Sequence, residues 1–210
     1  MAAAKAAELG ELLRRSRRTV LYTGAGISAA VVGQAARSGQ NTTGWKAKTA
    51  AQPTYTHRAL GAIGSAGYIH SWVQQNHDGL PQKAGLPQAA VNEIHGALHA
   101  PDNPVIPMGG SLRADLYEDL LDCEARAELV LAVGTSLAGM NADRIVQACA
   151  DRACAARGRG PPGAVIICVA STSKLPHILY DLRYPTGICV RKIQPRKGAF
   201  SKKARFALTC

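Results

Sequence analysis

The stretch VLYTGAGIS, residues 20–28, constrains the fold more than any other. Val20, Leu21 and Tyr22 suit a buried strand, Gly24 and Gly26 allow a tight turn and close backbone approach, and Ser28 can cap a following helix. A strand that runs straight into a glycine turn and a helix start leaves room for a phosphate at the turn. The spacing is Gly-x-Gly-x-x-Ala, and strand-to-helix turns without ligands also use glycine, so the stretch alone leaves both readings open. The dinucleotide fingerprint further asks for an acidic residue about 20 positions on, to hold ribose hydroxyls. From Leu12 through His77 there is no Asp or Glu, whereas Arg14, Arg15, Arg17, Arg18, Arg37, Lys46, Lys48 and Arg58 lie in that span. This argues against an ordinary Rossmann dehydrogenase and still favours an anionic ligand such as a pyrophosphate.

Beyond that stretch, helix-like and strand-like segments alternate. The pattern predicts a helix over 3–17 with Leu9, Leu12 and Leu13 on its apolar face, a strand over 19–23, a loop over 29–53 and a helix over 57–64. A strand over 68–74 follows, then a helix over 112–126 with Leu116, Leu120 and Leu121 on one face, a strand over 129–133, a helix over 143–156 and a strand over 164–170. Such an order predicts an α/β layered fold with a mostly parallel sheet, whose ligands gather at the carboxyl ends of the strands. With 210 residues, 47% of them hydrophobic, the chain supports one main domain, expected over 1–190.

No apolar run is long enough to span a bilayer, and the start, MAAAKAAELGELLRRSRR, lacks a signal-peptide block, so an intracellular chain with no membrane partner is expected. Glu8 and Glu11 argue against a mitochondrial presequence, which leaves cytoplasm or nucleus as the first expectation and mitochondria as the alternative. The net charge is +11, and residues 191–210 carry seven basic side chains and no acid. That segment reads as a basic C-terminal tail, either solvated or able to touch nucleic acid or an acidic partner. The six cysteines form no CxxC pair, so no metal site of ordinary ligand spacing is expected.

Three further stretches fall at strand ends or in loops: QQNHDGL at 74–80, NEIHG at 92–96 and VGTSL at 133–137. Taken singly, Asp78 and Gly79 suit an Asx-type turn, His95 an exposed loop histidine, and Gly134, Thr135 and Ser136 a helix cap. Together with the glycine turn they make four candidate sites at the carboxyl edge of one sheet.

GAGIS, QNHDGL, the E-x-H-G of NEIHG, and GTSL occur in the order and rough spacing of the sirtuin core, and PTYTHRAL at 53–60 is similar to the segment preceding its second strand. The chain thus resembles the sirtuins, NAD-dependent protein deacylases, over roughly residues 18–145. The resemblance implies a Rossmann-like core that binds NAD and cleaves its nicotinamide–ribose bond, with an acyl-lysine protein or peptide as partner. It assigns Gly24, Ala25, Gly26 and Ser28 to the diphosphate side, Gly134, Thr135 and Ser136 to the adenosine side, and Gln75 and Asn76 to the nicotinamide ribose. Asp78 would accept the nicotinamide carboxamide, Arg37 would stand for the family's loop arginine, and His95 would be the general base, a role that suits a neutral imidazole.

The departures from the family pattern carry expectations of their own. AAVVGQAARSG follows the glycine loop where the family has an aromatic shield over the sugar, and Ala35 or Ala36 takes the aromatic position. His77 replaces an isoleucine, Pro81 a histidine, and Cys168 an asparagine that meets the adenosine ribose. Between His95 and Gly134, where the family carries a small lobe on four zinc-binding cysteines, only Cys123 occurs. The zinc lobe is therefore expected to be absent or reduced to a loop, with no metal, and VIPMGG at 105–110 to be a remnant of the peptide-pairing strand. Deacylation is the first functional expectation. ADP-ribosyl transfer or NAD hydrolysis, or a silent NAD or ADP-ribose binding module, are the alternatives.

Overall fold

Side-chain alternation in two central strands sets the layers. In β1 (Thr19–Thr23) every residue is buried, with Val20 and Tyr22 in one apolar cluster and Leu21 in the other. β4 (Leu129–Val133) repeats the pattern, Val130 and Ala132 opposing Leu129 and Leu131. A strand apolar on both faces belongs inside a parallel sheet covered on both sides. The computed structural model, which describes residues 2–32, 50–107, 109–135, 137, 141–156 and 164–168, places β1 and β4 as neighbours. With β2 (Ser71–Gln74), β3 (Val91–Glu93) and β5 (Ala164–Cys168) they form one parallel sheet in the order β3-β2-β1-β4-β5.

One face is covered by α1 (Ala2–Arg15) and α2 (Tyr55–Ser65), whose Leu12, Leu13 and Leu60 pack with Leu21, Trp72 and Leu131. The other is covered by α3 (Ala114–Arg126) and α4 (Arg144–Ala156), through Leu120, Cys123, Ile145 and Cys149 against Val20, Tyr22 and Val130. Each fully buried leucine contributes roughly 1.5–3 kcal/mol relative to exposure, so these two layers, more than strand propensity, hold the sheet.

The chain steps outward from β1 to β2 and β3, then returns to place β4 on the other side of β1. That reversal opens a crevice beyond the carboxyl ends of β1 and β4.

Several expectations need correction. β2 begins at Ser71, not at 68, because Gly67 at φ +83 and the bond from Tyr68 N to Ile63 O still belong to the turn closing α2. β3 has no counterpart in the sequence reading. On α3, Leu121 is 38% exposed while Leu120 and Cys123 are buried, since adjacent positions on a helix point about 100° apart. Residues 104–107 form no strand, and the described residues from 97 to 113 are turns and loop only, tied back by Ile106 N donating to His95 O at 3.0 Å. Residues 169–170 and the basic tail lie outside the described residues. Among the described residues no helix is long and apolar enough to cross a membrane.

Candidate active site

Two glycine turns meet at the crevice. Gly24 N donates to Val133 O at 3.3 Å and Gly26 N to Gly134 O at 2.7 Å, so the loop after β1 is bonded directly to the loop after β4. A Cβ on Gly26 would lie 2.7 Å from the Gly134 carbonyl oxygen, and Gly134, at φ +66, has no room for one against Ile27. Glycine is required at both positions, for approach in one and for conformation as well in the other. Ala25 and Gly26 belong to a single 3-10 turn, Ala25–Ile27. The N–H groups of Ile27 and Ser28 are also bonded inside the loop, to Gly24 O and Ala25 O. What the glycines contribute is therefore close approach more than free donors.

Ser28 is 1% exposed and sits between two side chains from other elements. Asn76, just past β2, donates from Nδ2 to both Gly24 O and Ser28 Oγ, each at 3.0 Å. His57, in the first turn of α2, places Nε2 3.4 Å from the same oxygen. Its Nδ1 accepts from Thr54 N at 3.2 Å, while His57 N donates to Thr54 Oγ1 at 3.3 Å. This is a reciprocal cap in which histidine takes the place of the usual glutamate. Because a backbone N–H can only donate, Nδ1 carries the lone pair and Nε2 the proton, which points to Ser28. Burial pushes His57 below its ordinary value, with Arg58 acting the same way and Asp78 opposing, so the neutral form is favoured.

Gln75 bridges the two loops, donating from Nε2 to Thr135 Oγ1 at 3.2 Å. Asp78 does close an Asx turn: Oδ1 accepts from Leu80 N at 3.1 Å and from Gln74 Nε2 at 3.4 Å. Its Oδ2, however, is buried with no hydrogen-bond partner. A buried carboxylate oxygen without a donor is costly, and it suits a ligand N–H.

His95 is half-buried rather than exposed, and its Nδ1 lies 3.4 Å from Gln75 O. Since that oxygen only accepts, Nδ1 bears the proton and Nε2 the lone pair. Burial lowers the His95 pKa, the Gln75 carbonyl opposes, nearby His77 lowers it further and Asp143 raises it. The imidazole is therefore neutral near pH 7 and ready to accept a proton. Beneath it, Tyr22 Oη donates to Asp143 Oδ1 at 2.7 Å, and burial, then Asp143, holds the phenol well above its ordinary pKa.

The structure thus gathers Gly24, Ala25, Gly26, Ser28, Gln75, Asn76, Asp78, His95, Gly134 and Thr135 around one crevice. Arg37 and Ser136 lie outside the described residues, and β5 is described for its backbone, without the Cys168 side chain. Sequence reasoning missed His57 as a member of this set. The signal was present in PTYTH, where Thr54 and His57 stand at capping-box spacing. It also missed the Tyr22–Asp143 pair, which no local spacing announces.

The fold is a doubly wound parallel sheet with a glycine cradle at its switch point, flanked by an asparagine, an unpartnered aspartate oxygen and a neutral histidine, and ligands of such α/β folds gather at that place. No protein-family model matches the chain. It is 35% identical over 107 residues to the NAD-dependent protein deacetylase Sirt6 of Drosophila melanogaster, covering 46% of this chain and 34% of that protein. It is 34% identical over 104 residues to the NAD-dependent protein deacetylase sirtuin-7 of Mus musculus, covering 45% and 26%. The chain thus spans about a third or less of the length of these relatives. Its fold matches that of a solved Sir2 in complex with the inhibitor EX-527, 2'-O-acetyl-ADP-ribose and a deacetylated p53 peptide, with a TM-score of 0.60 at 23% identity over 76% of this chain and 84% of that one. Over this shared stretch the chain is similar to sirtuins, and its fold is that of the solved Sir2.

Proposed function

We propose that this protein is an NAD-dependent protein-lysine deacylase with an acyl-lysine segment of another protein as its substrate. One observation carries the reading: His95, neutral and held through Nδ1 on the Gln75 carbonyl, shares a crevice with Asn76 and with Asp78, whose buried Oδ2 lacks a donor. The residues fit NAD. The Gly26–Gly134 contact leaves backbone where a diphosphate needs close approach, and an amide N–H would satisfy Asp78 Oδ2. When bound, NAD supplies a labile nicotinamide–ribose bond and the ADP-ribose that receives the acyl group.

The chain's own residues do the rest. Asn76, both of whose N–H groups are engaged by Gly24 and Ser28, offers Oδ1 to a ribose hydroxyl. Ser28 accepts from Asn76 and His57 and keeps its own hydroxyl proton to donate toward the diphosphate. Gln75 holds Thr135, and the resemblance assigns Gly134, Thr135 and Ser136 to the adenosine side and Arg37 to the cofactor. His95 Nε2 takes a proton from a ribose hydroxyl. The basic 191–210 segment is read as a contact for nucleic acid or another acidic partner in cytoplasm or nucleus.

The four-cysteine zinc site of the resemblance does not fit the described residues. Cys123 is in the core on α3, where burial pushes its thiol up to about 11, and among the described residues no three His, Cys, Asp or Glu side chains are placed to hold a metal ion.

A second reading, NAD hydrolysis or ADP-ribosyl transfer, draws on AAVVGQAARSG, where by the resemblance an alanine replaces the aromatic shield and would leave the sugar open to water. Product identification by mass, with NAD and acetylated, succinylated or long-acyl peptides, separates them. O-acyl-ADP-ribose formed only with peptide is the expected result. ADP-ribose formed equally without peptide supports hydrolysis, and no turnover with intact NAD binding supports a silent module.

A further inference from the structure

His77 stands one residue before Asp78 yet has no part in the chemistry assigned above. Its Nδ1 lies 2.8 Å from Gly96 O, the carbonyl directly after the base, and its own carbonyl accepts from Leu98 N at 2.9 Å. With His95 Nδ1 on Gln75 O at 3.4 Å, three bonds stitch residues 75–77 to residues 95–98. The turn they hold cannot relax elsewhere: Gly96 sits at φ +86 against Pro104, and Ile106 N is bonded to His95 O. The Gly96 carbonyl only accepts, so Nδ1 of His77 carries the proton of that bond.

We propose that His77 is a positioning residue for His95, anchoring through Gly96 the turn that carries the base. The proposal rests on the assignment of His95 as the base.

Two variants test the anchor. In His77→Asn the Nδ2 amide stands where Nδ1 stood, so the bond to Gly96 O survives; in His77→Ile it is lost. In the full chain without NAD, the NMR resonances of the His95 imidazole and the Gly96 amide should keep wild-type positions in His77→Asn and move in His77→Ile. At pH 8, kcat should be near wild type in His77→Asn and at least about tenfold lower in His77→Ile, with KM for NAD little changed in both. Unmoved resonances in His77→Ile, or equal kcat losses in the two variants, overturn the anchoring role. The resonances are read without turnover, so loss of the base assignment, which would show as an active His95→Ala protein, remains distinct from either outcome.

Discussion

The glycine cradle and the polar arm border the same crevice but are built in opposite ways. In the cradle, Gly24, Gly26, Ile27 and Ser28 all direct their N–H groups to carbonyls of the protein, and Gly26 and Gly134 touch so closely that no Cβ fits. In the arm, formed by residues 75–78 and 95, hydrogen bonds hold one end of Asp78 and of His95, leaving Asp78 Oδ2 without a donor and, by tautomer, the lone pair on His95 Nε2. A close-packed backbone with no slack supplies shape. Side chains anchored at one end supply reactivity without losing position. Substitutions in the two regions should therefore fail in different ways.

The largest effect belongs to the arm. His95→Ala should lower turnover by about 10²- to 10⁴-fold, the usual loss of a general base, while NAD affinity, measured by calorimetry, changes little because the base acts only along the reaction coordinate. Wild-type turnover in that variant would remove His95 from the mechanism. In the cradle the order reverses. Gly134→Ala forces a side chain into a left-handed backbone and into the Ile27 backbone, so it should cost about 1–3 kcal/mol or more of stability and abolish NAD binding with it. If Gly134→Ala bound NAD normally with only kcat reduced, the division between shape and chemistry would be wrong.

Asp78→Asn should act more gently. The amide keeps an oxygen for Leu80 N, so the turn survives, but it presents N–H where Oδ2 was. Loss of one charged hydrogen bond predicts roughly 10- to 100-fold weaker inhibition by nicotinamide with the melting temperature nearly unchanged. A large fall in melting temperature would instead make Asp78 a turn residue only.

The same contrast explains what the sequence made legible. β1 and β4, apolar on both faces, appear at 19–23 and 129–133 with no error in their bounds, because burial on two sides leaves a continuous apolar run. The cradle was readable for a related reason: only glycine tolerates its contacts. β3 was not, since of its three residues Asn92 and Glu93 are polar yet buried, and pairing with β2 decides their state. Glu93 is enclosed with a bond from Gln88 at 3.2 Å, and burial raises its pKa; no periodicity records that. His57 escaped for the converse reason. Its spacing from Thr54 reads as a helix cap, which it is, and only the fold brings its other nitrogen to Ser28.

That double role makes His57 a sharper, smaller test of how the cradle is tied to the rest. The native contacts require an unprotonated Nδ1 for Thr54 N, and burial pushes the His57 pKa below its ordinary value. An unfolded histidine takes up its proton near pH 6.5, before the folded one does. As pH falls below about 6.5 the unfolded state therefore binds more protons than the folded state, and stability declines until the folded pKa is passed; above about 6.5 His57 adds no pH dependence. His95, lowered by burial, contributes in the same sense, and Glu93, raised by burial, in the opposite sense, so the informative quantity is the difference between wild type and a variant. His57→Asn keeps an acceptor for Thr54 N but does not titrate. Denaturant unfolding at pH 7.5, 6.5 and 5.5 should give a variant that is less stable at pH 7.5, for want of the Ser28 contact, yet loses less stability on acidification. The two slopes should differ by less than about 1.4 kcal/mol per pH unit, the limit set by one proton. Parallel slopes would mean that His57 holds its charge as easily inside the cradle as in water, and that the tie to Ser28 does not depend on the neutral ring.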